Sequence, residues 1–217
     1  MKKLIKGIYT IVDPEESNDI IELCSTLAKS ELSIIQYRDK KNSYETKKII
    51  GTKLKRICDK NEKIFIINDY PELAKDINAH GVHIGQQDQS VEYCRSILNK
   101  NQIIGISNNS MSEIKTSIKK NVDYLAIGKV FSTSTMGKED RDVVGVELIQ
   151  KTKQITNIPI VGIGGINLQN AISVIQAGAN AICIVSAITK SKNPMQVTKN
   201  INNISVSYTH LTLPTKA

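Results

Sequence analysis

The chain has 217 residues, of which 40% are hydrophobic and 23% are charged, and its net charge is +8. These values predict one globular domain rather than a disordered chain, at a length near the lower end for an eight-stranded barrel. No apolar run is long enough to span a bilayer, and Met1–Lys6 lacks a small-residue cleavage site, so we expect a cytoplasmic protein without a signal peptide or a membrane partner.

The excess of positive charge has two interpretations. Basic proteins often bind nucleic acid, but here Lys is spread over the predicted helices, and the chain has two Phe, seven Tyr and no Trp for stacking on bases. A solvated surface and an anionic small-molecule substrate fit the charge better, so we expect no nucleic-acid partner.

The cysteines form no C-x-x-C pair. Cys24, Cys58, Cys94 and Cys183 each lie in a predicted helix or strand, which favours reduced thiols in the core.

Short apolar, β-branched segments recur at intervals of about 20–35 residues, and the segments between them have helical periodicity. Ser90 can cap a helix that runs to Leu98, and Pro194 is suited to begin the last helix. The predicted strands are Gly7–Val12, Ser33–Arg38, Lys63–Asn68, Gly81–Ile84, Ile103–Ser107, Tyr124–Ile127, Pro159–Ile163 and Ala181–Val185.

Strands that alternate with helices predict βαβ units and a parallel sheet. Eight of each fit an α/β fold consisting of a single (β/α)8 TIM barrel over residues 1–205. An open doubly wound sheet is the alternative, although the G-x-G-x-x-G fingerprint of dinucleotide-binding sheets does not follow the first strand.

Two segments depart from the pattern of short connections. Gly128–Gly145 is a long connection rich in Ser, Thr, Lys and Asp, which is typical of a functional lid or a flexible segment. The last twelve residues, 206–217, show no helical period and resemble non-native sequence or a disordered tail, so we place them outside the barrel.

Polar and charged side chains follow several predicted strands. Because all strands of a parallel barrel open onto one face at their C-terminal ends, we expect these side chains to converge. Arg38 and Lys40 can bind a diphosphate, while Asp69 and Asp88 can hold magnesium together with substrate phosphates. Asp69 precedes Pro71, so a helix cap is its structural alternative.

Loops after the later strands suggest a second anion site. The run of hydroxyl residues 132–135 lies in the long connection, Gly162–Gly165 ends the seventh strand, and Ile184–Ser186 ends the eighth. Barrel enzymes often bind a phosphate with the loops after their last two strands. His83 lies within a short strand, where a histidine more often belongs to the core than to catalysis.

The combination of motifs resembles the thiamine phosphate synthase family. The resemblance runs from Tyr9 to Ile188, and the family is a (β/α)8 barrel in which the nitrogen of a thiazole phosphate attacks a pyrimidine methylene carbon as diphosphate leaves. The motifs that carry it are Gln36–Lys40, Asn68-Asp69, Gly81–Asp88, Gly105–Ser107, Gly128–Thr135 and Gly162–Ile166.

The resemblance also implies roles for individual residues and a Mg²⁺ cofactor. It assigns the pyrimidine diphosphate to Gln36, Arg38, Lys40, Asn68 and Ser107, magnesium to Asp69 and Asp88, and the thiazole phosphate to Thr133, Thr135, Gly165, Val185 and Ser186. Arg38, Lys40, Ser107 and Lys138 are the residues expected to act on the departing diphosphate.

The long connection departs from the family pattern. The family usually has Thr-x-Thr-Lys, with the lysine on the diphosphate, whereas Met136 and Gly137 separate Thr135 from Lys138 here. Either the loop accommodates an insertion that restores the lysine or the contact is lost. Gly128-Lys129 also stands where the family has Gly-Pro.

Two other functions remain open at this stage. A thiazole tautomerase of the same superfamily typically lacks the paired carboxylates, and a non-catalytic phosphate-binding relative would retain the fold without the chemistry. The presence of both Asp69 and Asp88 favours the synthase. The sequence does not fix the oligomeric state, and a homo-oligomer is compatible with it.

Overall fold

The computed structural model describes residues 4–17, 19–133 and 142–212, with side chains described up to residue 204. Its eight strands are all parallel and form a closed barrel in chain order, in which the last strand pairs with the first. The predicted single TIM barrel is therefore confirmed, and the open doubly wound sheet is excluded. The strands are β1 (Gly7–Val12), β2 (Leu32–Tyr37), β3 (Ile64–Asn68), β4 (Gly81–Ile84), β5 (Ile103–Asn108), β6 (Tyr124–Ile127), β7 (Ile160–Ile163) and β8 (Ala181–Cys183).

Helices connect successive strands and surround the barrel. Ser90 accepts a hydrogen bond from the amide of Tyr93 and caps the helix after β4, and Pro194 begins the last helix, as the sequence predicts. The helices are α1 (Ile20–Ala28), α2 (Tyr44–Lys60), α3 (Pro71–Asp76), α4 (Val91–Ile97), α5 (Met111–Ser117), α6 (Glu147–Lys153), α7 (Ala171–Gln176), α8 (Ser186–Thr189) and α9 (Pro194–Thr212).

The predicted bounds of β1, β4 and β6 match the structure, and those of the other five strands differ by one or two residues at one or both ends. The largest difference is at β8, which ends at Cys183 instead of Val185 because Val185 already precedes the first turn of α8. Strand β5 extends one residue further, to Asn108, whose backbone carbonyl accepts a hydrogen bond from Gly128.

The barrel separates two apolar cores, as the two-residue period of a strand requires. The larger core lies between the strands and the helices and includes Leu27, Leu54 and Ile149. The smaller core fills the barrel interior with side chains such as Ile34, Ile66 and Tyr124. The inner face of each strand therefore determines what reaches the open ends of the barrel.

The end of the chain corrects one expectation. The sequence predicts no helix after residue 205, whereas α9 continues to Thr212. Thr198 and Ile201 are fully buried on this helix, and adding residues to an anchored helix costs little once it has nucleated. The proposed end of the barrel domain at residue 205 remains a prediction, and residues 213–217 lie outside the described part of the chain.

Two expectations about the whole chain can be compared with the structure. All four cysteines are buried and outside any disulfide, as predicted for core thiols. Among the described helices, none has both the length and the apolar character that crossing a membrane requires.

Candidate active site

A cavity of about 490 Å³ opens at the C-terminal ends of the strands. Its floor is apolar and comes from the barrel interior, including Ile11, Ala126 and Val161, whereas its rim is polar. Seven of the residues predicted from the sequence line this one cavity: Gln36, Arg38, Lys40, Asn68, Asp69, Asp88 and Ser107. The predicted convergence at one face of the barrel is therefore observed for these residues.

Two carboxylates and one ammonium group meet at the rim. The Lys40 ammonium group donates a hydrogen bond to Asp69, and Asp88 accepts one from the backbone amide of Gly85 at 2.7 Å. Burial raises the pKa of Asp69, and the adjacent Asp88 carboxyl raises it further against the opposing effect of Lys40. Burial also lowers the pKa of Lys40, but the hydrogen bond and charge of Asp69 outweigh it and raise that pKa overall.

The backbone presents Asp69 to the cavity instead of to the following helix. Asp69 has a φ of 64°, in the left-handed region that few non-glycine residues adopt. Its amide donates a hydrogen bond to the carbonyl of His83 at 2.8 Å, which ties the end of β3 to β4. The cap position of α3 belongs to Tyr70, without a side-chain cap hydrogen bond, so the helix-cap alternative for Asp69 does not apply.

These two carboxylates fit a magnesium ion that is shared with a phosphate ligand. Neighbouring carboxylates repel each other in a partly buried setting, and a hard divalent cation would relieve that repulsion. Among the described residues, no group of three or more His, Cys, Asp or Glu side chains could hold a metal by itself. Phosphate oxygens and water would therefore have to complete the coordination, as magnesium sites in phosphate-binding proteins commonly require.

Arg38 is held at the same rim by a residue that the sequence analysis did not single out. Its guanidinium group forms an ion pair with Asp13, whose side chain is 1% exposed at the end of β1. Asp13 also accepts a hydrogen bond from the amide of Glu15 at 2.9 Å, which fixes the carboxylate. The Arg38 side chain remains 23% exposed, so its guanidinium group is both positioned and accessible.

The described residues among those predicted for the second phosphate do not line this cavity. Thr133, Gly165 and Val185 lie in the connections after β6, β7 and β8, and Ser186 is the first residue of α8, at the same end of the barrel. The loops after β6 and β7 touch: Phe131 donates a backbone hydrogen bond to Gly164 at 3.0 Å, and a Cβ on Gly165, whose φ is +65°, would lie 2.5 Å from the Ser132 carbonyl oxygen. Thr135 and Lys138 lie outside the described residues.

The barrel interior contributes polar groups to the cavity that sequence reasoning missed. His83 was interpreted as a core residue, and it is 8% exposed, yet it lines the cavity and its Nε2 lies 2.9 Å from Ser107 Oγ. Tyr9 also lines the cavity, and its hydroxyl lies 3.1 Å from that of Tyr124. Strand alternation was the available signal, because residues two apart on a strand point to the same side of the sheet. His83 therefore shares a side of the barrel wall with Gly81, and Ser107 shares one with Gly105.

Comparisons with known proteins agree with this geometry. The family model described as thiamine monophosphate synthase matches residues 8–188. A thiamine-phosphate synthase from Persephonella marina is 33% identical over 96% of this chain and 100% of its own length, and one from Oceanobacillus iheyensis is 38% identical over 92% and 98%. The solved structure of a thiamine phosphate pyrophosphorylase from Pyrococcus furiosus superposes with a TM-score of 0.85 at 29% identity, covering 93% of this chain and 96% of that one.

Proposed function

This chain belongs to the thiamine monophosphate synthase family, and from that premise we propose that it joins a hydroxymethylpyrimidine diphosphate to a thiazole phosphate. The substrates are 4-amino-2-methyl-5-hydroxymethylpyrimidine diphosphate and 4-methyl-5-(2-hydroxyethyl)thiazole phosphate, and the products are thiamine monophosphate and diphosphate. One observation carries the proposal: two cations and two carboxylates converge on a single cavity with an apolar floor.

The proposed chemistry is a displacement at the methylene carbon of the pyrimidine. The bond between this carbon and the diphosphate oxygen breaks, and the thiazole nitrogen supplies the electron pair of the new C–N bond. Arg38 and Lys40 would stabilise the negative charge that develops on the diphosphate, the first as a bidentate fork and the second as a point charge. Such preorganised charges stabilise a transition state more than the ground state.

Three further polar residues of the cavity would bind and orient the pyrimidine diphosphate. Gln36, Asn68 and Ser107 offer amide and hydroxyl groups on β2, β3 and β5, above a floor formed by apolar side chains such as Ile163. A dry floor protects an electron-deficient methylene carbon from water, and fixed polar groups align it with the incoming nitrogen.

We further propose that Asp69 and Asp88 are the magnesium ligands. When bound there, Mg²⁺ would supply a second source of positive charge for the leaving diphosphate. The carboxylate pair supports this assignment through its position beside Lys40, in the cavity that Arg38 also lines, and through the repulsion within it.

The thiazole phosphate is assigned to the loops after the last three strands. The proposed contacts are Thr133, Thr135, Gly165, Val185 and Ser186, with Lys138 directed to the diphosphate. In support, backbone hydrogen bonds hold the loops after β6 and β7 together beside the cavity mouth. A location in the cytoplasm, where phosphorylated precursors are retained, belongs to the same proposal.

A coupling assay with both precursors and Mg²⁺ tests the function. Formation of thiamine monophosphate and diphosphate in equal amounts is the expected result. Isomerisation of a thiazole carboxylate phosphate without coupling would instead identify a tautomerase. Binding of the precursors without turnover would identify a non-catalytic phosphate-binding relative, and either outcome would overturn the proposal.

A further inference from the structure

Five polar side chains form a continuous chain across the inside of the barrel. Gln36 Nε2 lies 2.6 Å from the Tyr9 hydroxyl, which lies 3.1 Å from the Tyr124 hydroxyl. The Tyr124 hydroxyl lies 2.9 Å from His83 Nδ1, and His83 Nε2 lies 2.9 Å from Ser107 Oγ. The two ends of the chain, Gln36 and Ser107, both line the cavity, on β2 and β5.

The architecture makes specific room for the middle of this chain. Tyr9 and Tyr124 are each less than 3% exposed, and the imidazole of His83 stacks on the Tyr124 ring with centroids 5.6 Å apart. A Cβ on Gly105 would lie 1.9 Å from Cζ of Tyr124, so only glycine lets the phenol cross the barrel at this level. Burial raises the pKa of both hydroxyls, so that each keeps its single proton at neutral pH.

Each hydrogen bond in this row of side chains can be assigned a donor and an acceptor, starting from Gln36. The amide nitrogen of Gln36 can only donate, so the Tyr9 oxygen accepts from it and the Tyr9 proton goes to Tyr124. The Tyr124 oxygen is then an acceptor from Tyr9, and its own proton goes to His83 Nδ1.

The same direction continues to the serine. A neutral imidazole that accepts at Nδ1 carries its proton on Nε2, which donates to Ser107 Oγ. The Ser107 hydroxyl proton is thereby left for the cavity. At the other end, the bond to Tyr9 is the one side-chain hydrogen bond that Gln36 makes to the described residues. The carbonyl oxygen of Gln36 is therefore left for a ligand.

We propose that Tyr9, Tyr124 and His83 are positioning residues that set the polarity of the two side chains at the ends of the chain. They hold Gln36 as a hydrogen-bond acceptor and Ser107 as a hydrogen-bond donor towards the ligand. The cavity then selects a ligand with a donor near β2 and an acceptor near β5. Reversing either end requires reversing every hydrogen bond between them, so the two contacts are coupled.

This inference rests on the proposed function for the identity of the ligand. The ring amino group of the pyrimidine is a donor suited to the Gln36 carbonyl oxygen, and the diphosphate oxygens are acceptors suited to Ser107. A site built to hydrogen-bond one group strongly disfavours analogues that lack it, because its buried polar group is left unpaired. The hydrogen-bonded row from Gln36 to Ser107 therefore makes the ring amino group of the pyrimidine a determinant of substrate specificity.

The tautomer of His83 tests the direction of these hydrogen bonds, and its measurement does not require catalytic turnover. In protein labelled with ¹⁵N at histidine, long-range proton–nitrogen spectra should show His83 protonated on Nε2. His80 is an internal reference, because its Nδ1 accepts from the backbone amide of Phe65 at 2.9 Å and the proton must therefore be on Nε2. His83→Gln assigns the signal, and a His83 proton on Nδ1 would overturn the proposal.

Kinetics of Tyr9→Phe test the effect on specificity. The variant keeps the ring but frees the Gln36 amide, so KM for the pyrimidine diphosphate should rise about tenfold, the equivalent of one hydrogen bond. The preference for this substrate over its analogue without the ring amino group should fall by about the same factor, while KM for the thiazole phosphate stays unchanged. Tyr93→Phe, which removes a hydroxyl bonded to Glu72 on the outer surface, is the matched control.

The outcomes separate this inference from the proposed function. An unchanged preference for the amino group in Tyr9→Phe, or equal losses for both substrates, would refute the coupling. If the wild-type protein binds the pyrimidine diphosphate without coupling it, the proposed function fails, and calorimetric binding of the substrate and its analogue to the same variants decides the inference. Should Tyr9→Phe not fold, the tautomer measurement on the wild type decides it.

Discussion

At the scale of single residues, Asp39 stabilises the turn that carries Arg38 and Lys40. It lies between Arg38 and Lys40 and is 4% exposed. Its carboxylate accepts hydrogen bonds from the Tyr37 hydroxyl at 2.6 Å and from the backbone amides of Lys41 and Asn42 at 3.1 and 3.0 Å. Burial would raise the pKa of Asp39, but these hydrogen bonds prevail and lower it. The hydrogen bonds of Asp39 therefore stabilise the turn after β2, between the two cationic residues.

We expect Asp39→Asn to destabilise the protein in a pH-dependent way. A lowered folded-state pKa means that the carboxylate contributes stability above its unfolded pKa of about 4 and loses it as the pH falls through the folded value. At pH 7 the variant should unfold at a temperature about 3–12 °C lower, corresponding to about 1.5–3 kcal/mol for hydrogen bonds to a charged group. Thermal unfolding at pH 7 and at pH 3 measures the gap, which should narrow in acid.

The matched control is Asp59→Asn, an exposed carboxylate paired with Lys55 four residues away. Such helix-surface pairs contribute only a few tenths of a kcal/mol, so this variant should hardly change the unfolding temperature. An equal shift for both variants would show that the Asp39 turn has no special role.

The metal assignment predicts the behaviour of Asp69→Asn and Asp88→Asn. Each substitution preserves volume and removes one hard anionic oxygen, so the coupling rate should fall strongly and recover in part at raised magnesium. Asp76→Asn on the outer surface is the control, since its partners Lys48 and Tyr44 are remote from the cavity lining. Wild-type rates for both variants at limiting magnesium would contradict the assignment.

The lysine in the long connection gives a prediction from sequence alone, because Lys138 lies outside the described residues. If Lys138 supplies the cation that the family places after its second threonine, Lys138→Ala should lower the turnover number by about 10²–10³, the range for losing one preorganised donor. Met136→Lys should then add little. The opposite pattern, a neutral Lys138→Ala and a faster Met136→Lys, would show that the contact is absent. Steady-state kinetics at saturating substrates distinguish the two.

At the scale of elements, periodicity predicted the strands well because each strand buries alternate residues on the two sides of the barrel. The same alternation could have placed His83 and Tyr124 inside the barrel, but it does not say which inward residues meet. Contact between Tyr9 and Tyr124 depends on how strands that are distant in the chain face each other across the interior. The left-handed backbone of Asp69 was equally inaccessible to sequence reasoning, since no motif distinguishes it from a helix cap.

Helix α9 divides into a part whose packing is described and a part that the sequence assigns to the tail. Ile201 is fully buried, and α9 packs on α1, α7, α8 and β1. We therefore expect deletion of residues 206–217 to leave the unfolding temperature and activity nearly unchanged, whereas Ile201→Ala should cost about 2–5 kcal/mol as a core truncation. Thermal unfolding of both variants provides the comparison, and a large loss on deletion would place the tail within the packed domain.

At the scale of the whole molecule, closure of the sheet determines the site. Because β8 pairs with β1, the connections that follow the strands surround one mouth, and residues from Tyr9 to Cys183 line the cavity there. The interior core beneath them contains large residues such as Ile34 and Ile66, which exclude water from the floor. The polar chain through this core connects Gln36 on β2 with Ser107 on β5, and its proposed hydrogen-bond direction would couple ligand contacts at these two residues.

A ligand that bridges this mouth should therefore stabilise the whole barrel. Inorganic diphosphate with Mg²⁺ would contact the proposed cation and carboxylate groups, and at a concentration of 100 Kd it should add about 2.7 kcal/mol, or about 5–10 °C in unfolding temperature. Lys40→Ala should reduce this shift, because it removes a cation of the mouth, whereas Lys48→Ala on the outer face of α2 should preserve it. Asp69→Asn should abolish the part of the shift that depends on magnesium. Equal shifts in Lys40→Ala and Lys48→Ala would place diphosphate binding elsewhere on this basic protein.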